Sequence, residues 1–124
     1  MNKQRPKHLA LHLIRLPLPG IVSILHRASG ALLFLVLPLL LWMLQSSLRS
    51  IATYTELIHI LHHPAAKIFL LLASWSFIHH FCAGMRYLAV DMHWISDLVQ
   101  ARNSSKAVMV VSLVLTLFVG VRLW

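Results

Sequence analysis

Three long apolar runs, separated by polar segments, dominate the pattern of the chain. They cover residues 28–48, 65–90 and 107–124, and the first run contains no charged residue. A helix needs roughly 20 consecutive apolar residues to cross the hydrocarbon core of a bilayer. The pattern therefore predicts an all-α membrane protein with three transmembrane helices, in which residues 1–124 form a single membrane-anchor domain.

The remaining segments are polar and predict connections outside the lipid. Residues 1–27 are predicted to form a cytoplasmic or interfacial segment that enters the first transmembrane helix. Pro38 lies in the middle of the first apolar run. We expect a kink there, which membrane helices tolerate when packed neighbours satisfy the freed carbonyl group.

The composition supports a chain whose solvent is lipid. Hydrophobic residues make up 59% of the sequence and charged residues 11%, whereas soluble domains carry about 25% charged residues. A soluble chain of this length could not bury so much apolar surface in a core of its own, because small domains have a high ratio of surface to volume.

The charge is strongly positive, at +8, and its distribution predicts the membrane topology. The basic residues flank the apolar runs and form no dense patch interleaved with aromatic residues, so no nucleic-acid partner is expected. Cytoplasmic flanks of transmembrane helices are enriched in Lys and Arg. A cytoplasmic N-terminus and an outer C-terminus are predicted because one side would then hold Lys3, Arg5, Lys7, Arg15, Arg27, Arg86, Arg102 and Lys106, and the other Arg49, Lys67 and Arg122.

A group of polar residues stands where the chain enters the first span. On a helix, Ser23, Arg27 and Gly30 share one face, and His26 lies beside them. One interpretation is structural: Ser23 caps the helix, while Arg27 and His26 reach the headgroups. The other is functional: these side chains form hydrogen bonds to a ligand held at the interface, since polar groups at this depth are costly.

Two of the nine histidines, His79 and His80, lie inside the second span, where an imidazole needs a partner. His80 is the better candidate for an axial ligand of a haem iron, because a flat macrocycle needs small neighbours. A hydrogen bond between helices is the alternative. With one well-placed histidine, a second axial ligand would come from another chain. The predicted stripe of His80 holds Ala73, Ser76, Ala83, Gly84 and Tyr87, and that of His79 holds Leu72, Trp75, Cys82 and Arg86.

Two motifs resemble signatures of a known family. The first is Arg5-Pro6 followed by the segment 23–30, Ser-Ile-Leu-His-Arg-Ala-Ser-Gly. In the second, His80 precedes Gly84, Arg86 and Tyr87, and an acid, Asp91, follows. Over essentially its whole length the chain is similar to the cytochrome b subunit of succinate dehydrogenase, the large membrane anchor of bacterial complex II.

This resemblance implies one haem b, shared with a second small membrane-anchor subunit that supplies the other axial ligand. It implies His80 as the haem ligand and His26 and Arg27 as possible contacts of the haem propionates. Ser23 and Arg27 would contact the quinone, with ubiquinone as substrate. Tyr87 stands where several relatives have histidine, so no ligand role is carried over to it.

The same resemblance implies an iron–sulfur subunit and a flavoprotein subunit on the cytoplasmic side of the bacterial inner membrane. The chain would act in electron transport and the tricarboxylic acid cycle, and no independent activity is expected of it alone. The anchor of a fumarate reductase is the nearest alternative. A haem-free small transporter or anchor subunit is another, but Glu56, Asp91 and Asp97 all lie in the connections or at the membrane edge, which disfavours a proton relay inside the membrane.

Overall fold

The computed structural model describes residues 15–124, and in that range the chain is helical throughout except for short connections. Lys3, the Arg5-Pro6 pair and Lys7 lie outside the described residues. Three of the helices are long and apolar enough to cross a membrane, which confirms the predicted all-α membrane protein with three spans. The helices are α1, Leu18–Arg49; α2, Ile51–Leu61; α3, Pro64–Asp91; and α4, Leu98–Leu123.

The first helix begins well before the predicted span at residue 28. Pro17 occupies the N-cap position of α1, and Pro19 lies in its first turn. Proline is tolerated there because the first amide groups of a helix have no partner within it. Ser23 therefore lies inside the helix and does not cap it, so the structural interpretation of this residue was wrong.

The connection after the first span is itself mostly helical. Ser50 caps α2 by accepting a hydrogen bond from the Thr53 amide, and the Thr53 hydroxyl oxygen accepts one from the Ser50 amide in return. This reciprocal pair satisfies two amide groups that the helix leaves unpaired. The apolar side chain of Leu57 is buried, because α2 packs on the long helices.

The last helix also begins earlier than predicted, at Leu98 instead of residue 107. Asp97 caps it, because its Oδ1 accepts a hydrogen bond from the Gln100 amide at 2.6 Å. Before it, α3 ends at Asp91 in a turn in which His93 has a φ of 61°. Both acids of this connection therefore stand at helix ends, and neither lies within the apolar part of a span.

The long helices pack closely through α3, which contacts both α1 and α4. A small core forms where Val22, Ala83 and Val108 meet, one residue from each of the three long helices. Large apolar side chains such as Phe34 and Leu117 are at least 70% exposed on the outside. This distribution fits a chain surrounded by lipid and partner helices, where burying small residues lets helices approach.

Candidate functional site

Polar groups from α1 and α3 come together in one half of the helix unit. The helices run antiparallel, so the beginning of α1 lies beside the end of α3. His26 and Ser29 on α1 thereby meet His80 and Tyr87 on α3. Residues of the segment 23–30 and of the second motif, far apart in sequence, thus form one cluster in the structure.

His80 has its two ring nitrogens in different surroundings. Its Nδ1 lies 3.0 Å from the backbone carbonyl oxygen of His26 and 3.4 Å from the Ser29 hydroxyl. A carbonyl oxygen only accepts, so Nδ1–H donates to it and the neutral ring keeps its lone pair on Nε2. Histidines that ligate metals commonly have this arrangement, in which the second nitrogen donates to a carbonyl or carboxylate.

His26 and His80 stack on one another. Their ring centroids are 4.2 Å apart and the planes differ by 12°. The ring of His26 also lies 5.2 Å from that of Tyr87. His26 therefore contacts His80, the predicted haem ligand, in two ways: through its ring and through its backbone carbonyl.

His79, the neighbouring histidine, is enclosed by its own chain. It is fully buried, its Nδ1 lies 3.3 Å from the Ser112 hydroxyl on α4, and its ring stacks on Trp75 at 5.4 Å. Its Nε2 has no hydrogen-bond partner in the part of the chain that the structure describes. Because the ring of His79 is enclosed in this way, it leaves no room for a haem macrocycle that is shared with a second subunit.

Two of the small residues predicted to clear a surface beside His80, Ala83 and Gly84, face neighbouring helices instead. Ala83 is fully buried between α1 and α4, and the open side of Gly84 faces Nε2 of His26 at 3.8 Å. For Ala83 and Gly84 the prediction of a surface cleared for a macrocycle was therefore wrong. The spacing of residues along a helix shows which of them share a face, but it does not show whether a neighbouring helix covers that face.

Ser23 lines an open cavity of about 580 Å³ at the same end of the helix unit. Arg86 and Tyr87 line it too, with the connection between α3 and α4 on the far side. The Tyr87 hydroxyl is buried and has no partner among residues 15–124. Arg27 is exposed and does not line this cavity, so the structure does not bring the two predicted quinone contacts into one cavity wall.

Arg86 is a cation that the sequence analysis placed in the motif without giving it a function. Only 8% of it is exposed. Its Nε donates to the Ser104 hydroxyl at 3.0 Å and one terminal nitrogen donates to the Ala101 carbonyl at 3.3 Å. It therefore ties the end of α3 to the start of α4 and brings a positive charge to the cavity beside Ser23.

The comparison with known proteins agrees with the two motifs. Residues 1–119 match the family described as Succinate dehydrogenase/Fumarate reductase transmembrane subunit. This chain belongs to that family. Nearly the whole chain takes part in the match, including every residue of the cluster around His80, so the chain is a membrane cytochrome b subunit of succinate dehydrogenase.

Individual members of the family are similar over most of their length. The succinate dehydrogenase cytochrome b556 subunit of Coxiella burnetii (strain RSA 493 / Nine Mile phase I) is 34% identical over 127 residues, covering 100% of both chains. The subunit of the same name from Paracoccus denitrificans is 32% identical over 90% of this chain and 85% of its own. That of Rickettsia felis (strain ATCC VR-1525 / URRWXCal2) is 27% identical over 95% and 92%.

Proposed function

We propose that this chain binds one haem b jointly with a second small membrane-anchor subunit and helps form the ubiquinone-reduction site of a bacterial succinate dehydrogenase. The observation that carries the haem proposal is the arrangement of His80, with Nδ1 bonded to a carbonyl and the lone pair left on Nε2. The name cytochrome b556 of the similar proteins supports haem b. Bound haem would supply a one-electron carrier.

The residues of the cluster fit such a group. His80 is partly exposed at the edge of the helix unit, where a second chain can reach the other face of the haem. His79 is enclosed and offers no second ligand, so that ligand comes from the partner anchor. His26 and exposed Arg27 are the proposed contacts of the propionates, because a cation and an imidazole N–H suit carboxylates.

The proposed quinone contacts are Ser23 and Arg27. The Ser23 hydroxyl would donate a hydrogen bond to a quinone carbonyl, and the Arg27 cation would stabilise negative charge that develops on reduction. The cavity supports the contact of Ser23, and its volume of about 580 Å³ lies within the range of about 300–1,000 Å³ usual for small-molecule sites. Arg86 adds a cation in the wall of the same cavity.

The other subunits would meet this end of the chain. An iron–sulfur subunit and a flavoprotein subunit on the cytoplasmic side would deliver electrons from succinate, and the chain alone would have no activity. The bacterial inner membrane is the proposed location, with the N-terminus in the cytoplasm. The family description also covers fumarate reductase, and the anchor of that enzyme is the second candidate, since the direction depends on the flavoprotein and the quinone.

Replacing His80 by Leu in the purified complex tests the haem proposal. We expect this variant to lose or alter the b-type absorbance because the iron loses an axial ligand. His79→Leu is the matched control, since it removes a neighbouring imidazole that faces α4. The measurement is haem per assembled complex, from the reduced-minus-oxidised spectrum.

The spectrum also separates the alternatives. A complex with no b-type bands before any substitution would support a haem-free anchor. Normal haem in His80→Leu together with loss in His79→Leu would mean that the ligand is the enclosed histidine, and the assignment of His80 would be wrong.

A further inference from the structure

The two histidines at the crossing of α1 and α3 belong to matching sequence segments. On α1, His26 is followed four residues later by Gly30, and on α3, His80 is followed four residues later by Gly84. Residues four apart lie on the same face of a helix, one turn from each other. Each helix thus carries a histidine ring one turn away from a glycine, which has no side chain to fill the space beside it.

Because the helices run antiparallel, each ring enters the gap on the other helix. A Cβ atom built on Gly30 would lie 2.8 Å from Cε1 and 3.2 Å from Nδ1 of His80. One built on Gly84 would lie 3.8 Å from Nε2 of His26, an ordinary contact. The two rings meet between the glycines and stack at 4.2 Å. The arrangement is reciprocal, and the closer of the two contacts between a ring and a glycine is that of His80 with Gly30.

Three contacts restrain the ring of His80 at this crossing. Gly30 leaves the space that the ring fills, the His26 carbonyl accepts the hydrogen of Nδ1 at 3.0 Å, and the His26 ring lies against one face of the imidazole. All three come from one turn of α1. The direction of the Nε2 lone pair is therefore set by α1, not by the helix on which His80 stands.

We propose that His26 and Gly30 are positioning residues for His80, which fix the plane and the tautomer of its imidazole for the metal of the haem. This inference rests on the proposed function, in which His80 is the axial ligand, and goes beyond it by giving the ring of His26 a task separate from any propionate contact. A carbonyl that accepts from Nδ1–H also makes the ligating nitrogen more basic. The crossing would therefore set the basicity of Nε2 as well as the orientation of the imidazole.

Gly30→Ala tests the space, and Gly120→Ala is the matched control. Both changes replace a helical glycine by alanine, but the Cβ at position 120 would meet only the end of the Leu71 side chain, at 3.4 Å. In the purified complex we expect Gly30→Ala to shift the highest g value of the oxidised haem and its midpoint potential, or to lower haem content. The Gly120→Ala complex should match the parent. A Gly30→Ala complex with unchanged g value, potential and haem content would overturn the proposal.

A second pair of variants tests the stack without altering the backbone. His26→Phe keeps a flat ring against His80, whereas His26→Leu does not, and both lose the imidazole N–H equally. The difference between them therefore reports the stack alone and not a propionate contact. We expect the g value of His26→Leu to shift further from that of the parent than the g value of His26→Phe does. Equal g values in the two variants would contradict a positioning role of the ring.

These outcomes separate the inference from the proposed function. If His80→Leu keeps its b-type spectrum, His80 is not a ligand and both fail. If His80→Leu loses haem while Gly30→Ala and His26→Leu match the parent, the haem assignment stands and only the positioning role is wrong.

Discussion

Two neighbouring histidines in α3 have different surroundings because successive residues of a helix point about 100° apart. His79 turns toward Ser112 on α4 and is fully buried. His80 turns toward the His26 carbonyl on α1 and stays partly exposed. A difference of one residue thus separates a side chain enclosed between α3 and α4 from one that contacts α1 at the edge of the helix unit.

Ser23 and Arg27 carry the residue-scale prediction for the quinone. Ser23→Ala or Arg27→Leu should impair quinone reduction while sparing succinate oxidation by a water-soluble dye that accepts electrons upstream. A lost hydrogen bond costs about 1 kcal/mol when neutral and about 1.5–3 kcal/mol when a charge takes part, so Arg27→Leu should be the more damaging. The measurement is quinone turnover per assembled complex with haem retained.

The same helix provides matched controls for both substitutions. The Ser47 hydroxyl donates to the Leu44 carbonyl of its own helix, at 2.7 Å, and Arg49 is exposed at the far end of α1. Ser47→Ala and Arg49→Leu should leave turnover unchanged. If Ser23→Ala and Arg27→Leu both keep normal turnover and normal apparent quinone affinity, this face of α1 is only the polar end of a membrane helix.

At the scale of the elements, small and hydroxyl-bearing side chains make the contact between α3 and α4. Ser105 and Ser112 on α4 are fully buried, and their hydroxyls donate to carbonyls of their own helix at 2.7 and 3.1 Å. Their polarity is thereby satisfied locally while their small size lets the helices approach. Lipid gives no hydrophobic drive for helices to associate, so close packing has to supply the stability.

Ala83→Leu tests this packing. Ala83 is fully buried between Val22 and Val108, and extra methylene groups in a filled core cost about 1–3 kcal/mol. We expect a lower unfolding temperature of the purified complex and a smaller yield of assembled enzyme. Ala107→Leu, at an exposed position of α4, is the control, and equal stability of the two variants would show that the three helices do not pack at Ala83.

For the whole molecule, the outer surface is made mostly of large apolar side chains. Leu35, Phe34 and Val121 are each more than 70% exposed. Such a surface is stable only in lipid or against other helices. The outside of the helix unit is therefore suited to lipid or to other membrane helices, and its polar cluster lies where cytoplasmic subunits are proposed to dock.

Topology is the prediction at this scale. Reporter fusions should place residue 1 in the cytoplasm and residue 124 on the outer side, because basic residues concentrate on the side of the N-terminus and three spans reverse the direction of the chain. Fusions in the connection between α3 and α4 should report the cytoplasm and serve as an internal check. A cytoplasmic C-terminus would mean that one of the three long helices does not cross the membrane.

The sequence by itself determined the number of spans and the two motifs. Apolar runs have to be helical in lipid, because every backbone group must find its partner within the segment. It did not determine where the helices begin. Pro17 precedes the first turn of α1 and Asp97 caps α4, and both residues lie outside the apolar runs. The apolar helix α2 is too short to cross the membrane and lies in the connection between the first two runs.

The tertiary structure alone decided how the two motifs meet. The sequence contains His26, Gly30 and His80 but cannot give the register of two antiparallel helices, because many registers bury apolar faces equally well. The register observed brings a backbone carbonyl to Nδ1 of His80 and fills the space beside Gly84 with the His26 ring. Ala83 and Gly84, which were predicted to make room for a ligand, make room for another helix, since a helix in lipid gains stability by approaching its neighbour as closely as its side chains allow.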